Sequence, residues 1–108
     1  MIDFKNMPET VMPEFKGGKG ELIAKMFFDG VNRIFEGRLT PGSSIGLHRH
    51  EGTSEMMFFL SGSGKAVLDG VEELLGAGDC HYCPEGSEHT LMNIGETDLV
   101  FYAVVPKA

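Results

Sequence analysis

Hydrophobic residues in this chain come in short runs, and none keeps the 3.6-residue period of an amphipathic helix over a useful length. Strands are expected over Glu21–Phe28, Arg33–Leu39, Ile45–His50, Met56–Leu60, Lys65–Leu68, Cys80–Cys83, His89–Ile94 and Leu99–Val105. Turn signals separate them: Asp29-Gly30, Pro41-Gly42, Gly52, Gly62, Asp69-Gly70, Gly78, Pro84 with Gly86, and Gly95. Glu72–Leu75 is too short for a helix and is assigned no element. Residues 1–20, with Pro8, Pro13 and Gly17-Gly18-Lys19-Gly20, read as an N-terminal arm, either an edge strand or a dimer contact. Those glycines form a plain turn, since the spacing of a phosphate loop and its following Ser or Thr are missing. The pattern gives an all-β fold of short antiparallel strands closed into a sandwich or barrel, with residues 21–108 as the barrel.

Composition narrows the class without changing the fold. At 108 residues, 42% hydrophobic and 23% charged, the chain is one globular domain able to bury a core without disulfides. Nine basic against sixteen acidic residues leave a net charge of −7, which repels phosphate backbones, so no nucleic-acid partner is expected. Apolar runs such as Met56–Leu60 are far too short to cross a bilayer as a helix, and no membrane partner is expected. The first residues lack the charged and apolar regions of a secretory leader, and the expected location is cytoplasmic.

The informative chemistry starts at Gly42. His48 and His50 alternate with Arg49 in a strand-like run, so both imidazoles project from one face. The Glu51–Ser54 segment suits a turn that returns the next strand alongside, with Glu55 at its start. His89 follows the tight turn Pro84-Glu85-Gly86, which would aim it. Three imidazoles and one carboxylate make a mixed N/O donor set for one divalent transition ion: iron, manganese, nickel, zinc, cobalt or copper. In an octahedral shell, four protein ligands leave two positions for water or substrate, the mark of a catalytic metal.

Two motifs carry a family resemblance. Gly42, five residues, His48-Arg49-His50, four residues, Glu55, six residues, Gly62 resembles the first cupin motif at every fixed position. Gly78, five residues, Pro84-Glu85-Gly86, two residues, His89, three residues, Asn93 resembles the second. The fifteen residues between Gly62 and Gly78 are a short gap of the kind simple prokaryotic cupins show. The resemblance implies a double-stranded β-helix, or jelly-roll barrel, with a metal inside held by His48, His50, Glu55 and His89.

Met57 and Phe59 share the strand face of Glu55 and are expected to line the cavity, with plain core packing as the competing account. Arg38 and Tyr102, together with Lys25 and Arg33, are candidates to anchor an anionic substrate. In Cys80-His81-Tyr82-Cys83, either His81 with Cys83 or Cys80 with Tyr82 faces the cavity, so Tyr82 stays a candidate pocket residue. His81 is expected to be a satisfied or exposed histidine rather than a fifth ligand. Cys80 and Cys83 are three apart in a strand, on opposite faces and about 10 Å from each other. A disulfide needs Cα atoms within about 7 Å, so two free thiols are expected.

The resemblance does not fix a reaction. The leading expectation is a metal-dependent enzyme on a small polar metabolite, of dioxygenase, isomerase, lyase or decarboxylase type, with the ion acting as Lewis acid or activating dioxygen. The alternatives are a non-catalytic small-molecule or metal-binding module, and a domain whose metal only braces the barrel.

A homodimer is the expected assembly. The domain is small, Met56–Leu60 and Leu99–Val105 are apolar on both faces, and a two-fold contact would cover them on both chains. Light scattering at micromolar concentration should give twice the chain mass; a mass near 11.8 kDa would mean that the dimer expectation is wrong.

Overall fold

The computed structural model describes residues 1–108. Its strands are β1 (Thr10–Pro13), β2 (Glu21–Phe28), β3 (Arg33–Leu39), β4 (Ser44–Arg49), β5 (Glu55–Ser61), β6 (Ser63–Leu68), β7 (Val71–Gly76), β8 (Cys80–Cys83), β9 (Glu88–Asn93) and β10 (Leu99–Val105). They form a six-stranded sheet, in the order β1-β2-β3-β10-β5-β8, and a four-stranded sheet, β4-β9-β6-β7, with every pairing antiparallel. The two sheets close as a jelly-roll barrel. No helix is long and apolar enough to cross a membrane.

Alternation along each strand decides what lies inside. Glu55, Met57 and Phe59 of β5 are buried, while Phe58 and Leu60 are exposed. Leu99, Phe101 and Ala103 of β10 point inward, as do Phe35, Gly37 and Leu39 of β3. Between the sheets these join Leu22, Ile45 and Leu91 in one core, where the Phe101 ring meets Phe35 edge-on at 5.9 Å. Fully burying such side chains contributes about 1.5–3 kcal/mol each.

Two glycines carry the chain through crowded points. Gly62 sits where the chain leaves β5 for β6 in the other sheet; its φ is 93°, and a Cβ there would lie 2.6 Å from the Asp98 carbonyl oxygen. At Gly46 of β4 a Cβ would strike the carbonyl of Lys16, because the 3₁₀ turn Phe15–Gly17 packs directly on that strand.

Two strands lie where the alternation signal is weak. In β7 only Leu75 is buried, while Val71, Glu72 and Leu74 are exposed, since β7 is the edge of its sheet. It is reached through Asp69-Gly70, both residues at positive φ (47° and 83°), which makes the two-residue hairpin turn. At the other edge, β1 pairs with β2 and draws the arm onto its own barrel: Met12 and Phe15 pack on the core, and Phe4 meets Tyr102 at 5.6 Å.

The β8 alternation settles the face left open by sequence: His81 and Cys83 are inside, Cys80 and Tyr82 outside. Both cysteines are free. Burial, followed by the nearby Glu55 carboxylate, pushes the Cys83 thiol up to about 11. A disulfide-exchange reagent at pH 8 should therefore modify one thiol, Cys80, in the native protein and two after denaturation. Rapid reaction of both in the native state would show that β8 does not hold Cys83 inside.

Candidate metal centre

A bulge brings the first two histidines into place. The pairing of β4 with β9 shifts register between Ile45 and His48. Ile45 is buried and His48 turns inward as well, although strict alternation would send residues three apart to opposite faces. His48 then stands directly across the ladder from His89. His50 lies just beyond β4, where its N–H donates to the Ser87 carbonyl and its own carbonyl accepts from Gly86 N–H. The turn of the second motif thus clamps the residue of the first. Glu55 opens β5 and is 4% exposed.

The four side chains converge. His89 Nε2 lies 3.0 Å from Glu55 Oε1, 3.0 Å from His50 Nε2 and 3.2 Å from His48 Nε2. His50 Nε2 is 3.1 Å from Glu55 Oε1, and one donor atom from each residue falls within 4.8 Å of all the others. Neighbouring donors about 2.1 Å from one ion stand about 3 Å apart when they subtend a right angle, so the observed spacings fit a shared ion.

The other ring nitrogens support the same reading. His48 Nδ1 donates to the Gly46 carbonyl at 2.7 Å, which leaves its Nε2 lone pair free to point inward. His50 Nδ1 meets Thr53 Oγ1 at 3.0 Å, and His89 Nδ1 meets His81 Nε2 at 2.9 Å. A single cation at the centre would be shared by the three Nε2 atoms and the carboxylate. Burial is the main reason His48 sits below the ordinary imidazole value, with the facing His89 ring acting in the same sense. For Glu55, burial alone would raise the pKa, but the facing His50 and His89 imidazoles outweigh it and hold the group at about 2.

A cavity of about 450 Å³ opens above these residues, lined by His48, His50 and Glu55 at its base and by Phe15, Met26, Phe28 and Phe35 on its walls. Lys16, Arg33 and Arg49 also line it, so the acidic chain presents cations there. Arg33 occupies the inward parity of β3 with Phe35, its guanidinium 4.7 Å from the Phe28 ring centroid, and its buried Nε has no hydrogen-bond partner.

The expected pocket residues sit differently. Met57 and Phe59 point inward beside Glu55 but are 1% and 2% exposed in the core, outside the cavity lining. Arg38, Tyr82 and Tyr102 occupy the outward parity of their strands, a correction to the expectation that they line the pocket. Arg38 pairs with Glu9 at 3.1 Å and Asp98 at 2.9 Å, Tyr102 hydroxyl bonds Glu36 at 3.3 Å, and Tyr82 is exposed. Period-two counting from Phe35 would have placed Arg33 inside and Arg38 outside. Phe15 and Lys16 carried no such signal, because their approach depends on the 3₁₀ turn packing over Gly46.

Comparison with known proteins gives the family and the fold. A family model described as a cupin domain matches residues 35–105. An "oxalate-binding protein" of Thermotoga maritima is 38% identical over 104 residues, covering 91% of this chain and 85% of that protein. A crystal structure from Thermotoga maritima, described as a predicted oxalate decarboxylase, superposes with TM-score 0.93 at 31% identity over 100% of this chain and 99% of that one. The polyketide cyclase RemF of Streptomyces resistomycificus shares the fold alone, with TM-score 0.80 at 23% identity over 98% and 78% of the two chains.

Removing a donor should unload the site. Metal at about a hundredfold excess over Kd stabilises the native state by about 2.7 kcal/mol, which for a domain of this size raises Tm by about 10 °C. His50→Ala and His89→Ala should each abolish that rise with manganese or zinc and lower affinity by orders of magnitude in a chelator competition. An unchanged Tm rise in His89→Ala would remove that residue from the ligand set.

Proposed function

The chain belongs to the cupin family, and we propose that it binds one divalent transition ion through His48, His50, Glu55 and His89 and acts on a small carboxylate anion in the cavity above. The observation that carries this reading is the pairing of a four-donor cluster at the cavity base with cationic side chains around it, Arg33 foremost. A bound ion supplies Lewis acidity toward a carboxylate or carbonyl oxygen.

The rest falls to the chain's own residues. Arg33, its guanidinium over the Phe28 ring, lines the cavity and brings a fixed positive charge to an oxygen anion there. Phe15, Met26, Phe28 and Phe35 give the cavity apolar walls that lower the local dielectric and strengthen that attraction. The Gly46 carbonyl and Thr53 hydroxyl fix the rings of His48 and His50 so that no reorientation is needed on binding. A cavity of this size suits a metabolite of a few carbons.

Among the reaction types open to such a site, decarboxylation of a dicarboxylate or keto acid is favoured by the relative described as a predicted oxalate decarboxylase. A second reading, carriage without turnover, is favoured by the relative named an oxalate-binding protein. We also retain a cytoplasmic location and a homodimer as proposals. Phe58, Leu60 and Tyr82, adjacent on the outer faces of β5 and β8, are the apolar surface a second copy would cover.

Calorimetry of the manganese-loaded protein should register oxalate binding but little heat from acetate, and Arg33→Gln should weaken oxalate about tenfold or more, in line with loss of a charged hydrogen bond. Formate released from oxalate, one per carbon dioxide, would establish decarboxylation. Binding without formate would establish the carrier reading, and no difference between oxalate and acetate would refute the dianion site.

A further inference from the structure

His81 is 0% exposed, belongs to no ligand set, and sits in a continuous chain of hydrogen bonds. Its Nδ1 lies 2.7 Å from Glu73 Oε1, and its Nε2 lies 2.9 Å from His89 Nδ1. The His81 and His89 rings are within 13° of parallel. Glu73 comes from β7 and His89 from β9 of one sheet, and His81 from β8 of the other, so the chain of bonds spans the barrel. Its outer end is accessible: the Glu73 side chain is 36% exposed.

We propose that Glu73 and His81 are positioning residues that set the tautomer and ring orientation of His89, so that His89 Nε2 presents a lone pair to the metal. The argument is one of donors and acceptors. A carboxylate only accepts, so Glu73 requires the proton of His81 on Nδ1. A neutral imidazole carries one N–H, and His81 Nε2 is then an acceptor. The remaining hydrogen bond must come from His89 Nδ1–H, which leaves His89 Nε2 bare at the centre of the cluster. The opposite polarity would put the proton on His89 Nε2, where it blocks coordination, and would require a donor at the position of Glu73. His48 needs no such device, because the Gly46 carbonyl is itself acceptor-only. His89 faces another imidazole, which can donate or accept, and the carboxylate two bonds away removes that ambiguity.

The inference rests on the metal assignment proposed above, and two measurements keep their failures apart. The first is the tautomer of His81, read from long-range ¹⁵N–¹H correlations in metal-free and zinc-loaded protein. His81 should carry its proton on Nδ1 in both forms; a proton on its Nε2 in either form overturns the proposal, whether or not the protein binds metal. The second is metal affinity by chelator competition. Glu73→Gln should lose about 10- to 100-fold in zinc affinity and shift the His81 proton toward Nε2. Glu72→Gln removes the same charge from a side chain that is 67% exposed and paired with Lys65, and should retain wild-type affinity.

His81→Phe should lose affinity at least as far as Glu73→Gln, while His81→Gln, whose amide oxygen can accept from His89 Nδ1–H, should recover part of it. If the buried substitutions do not fold, Glu73→Gln at the half-exposed end decides alone. Wild-type affinity and an unchanged His81 tautomer in Glu73→Gln would overturn the relay. Absence of zinc binding in the wild type, with His81 protonated on Nδ1, would instead overturn the metal site and leave the relay standing as a structural link.

Discussion

A carboxylate taken out of water inside a small β-barrel must find partners, and Glu55 is the group on which the site's design turns. It is 4% exposed at the start of β5, where an ionised group without compensation would cost several kcal/mol. The His50 and His89 rings that face it offset that cost and hold it at about 2. Those two residues come from different parts of the chain, and the barrel must hold them to within a few tenths of an ångström. The β4 bulge, the clamp between His50 and the Ser87 and Gly86 backbone, and the β4–β9 register all serve that requirement.

Charge is partitioned with the same economy. The chain carries −7 overall, yet Lys16, Arg33 and Arg49 gather around one cavity. Arg49 is partly engaged by Glu88 and the Gly86 carbonyl, whereas Arg33 is braced by the Phe28 ring and makes no ion pair. On the outside, Arg38 shows the contrast: similar in sequence context, it is neutralised by Glu9 and Asp98 and helps fasten the arm to the barrel.

The two sheets meet through polar as well as apolar contacts. Phe59 and Phe101 pack in the apolar core, while Glu73, His81 and His89 link the sheets beside the candidate metal centre. A hydrogen-bonded chain buried over most of its length specifies one arrangement more sharply than apolar packing alone. It also links ring orientation at the metal centre to an edge strand that the core holds through Leu75 alone.

Strand periodicity and turn residues in the sequence determined the all-β class, and β2, β3, β8 and β10 lie at the bounds read from it. The two spaced motifs marked the family and nominated the four donors, because a metal site needs chemically distinctive residues at fixed offsets. The edge strand β1 was legible only as one of two readings of the arm and β7 not at all, since edges bury few side chains and so show little alternation. Only the tertiary structure decided the rest. A bulge reversed the parity between Ile45 and His48, the packing of a 3₁₀ turn on Gly46 brought Lys16 to the cavity, and the face of β8 chosen by the core placed His81 rather than Tyr82 inside. Each of these depends on which strands lie next to one another, and adjacency is set by the closing of the whole barrel rather than by any local run of residues.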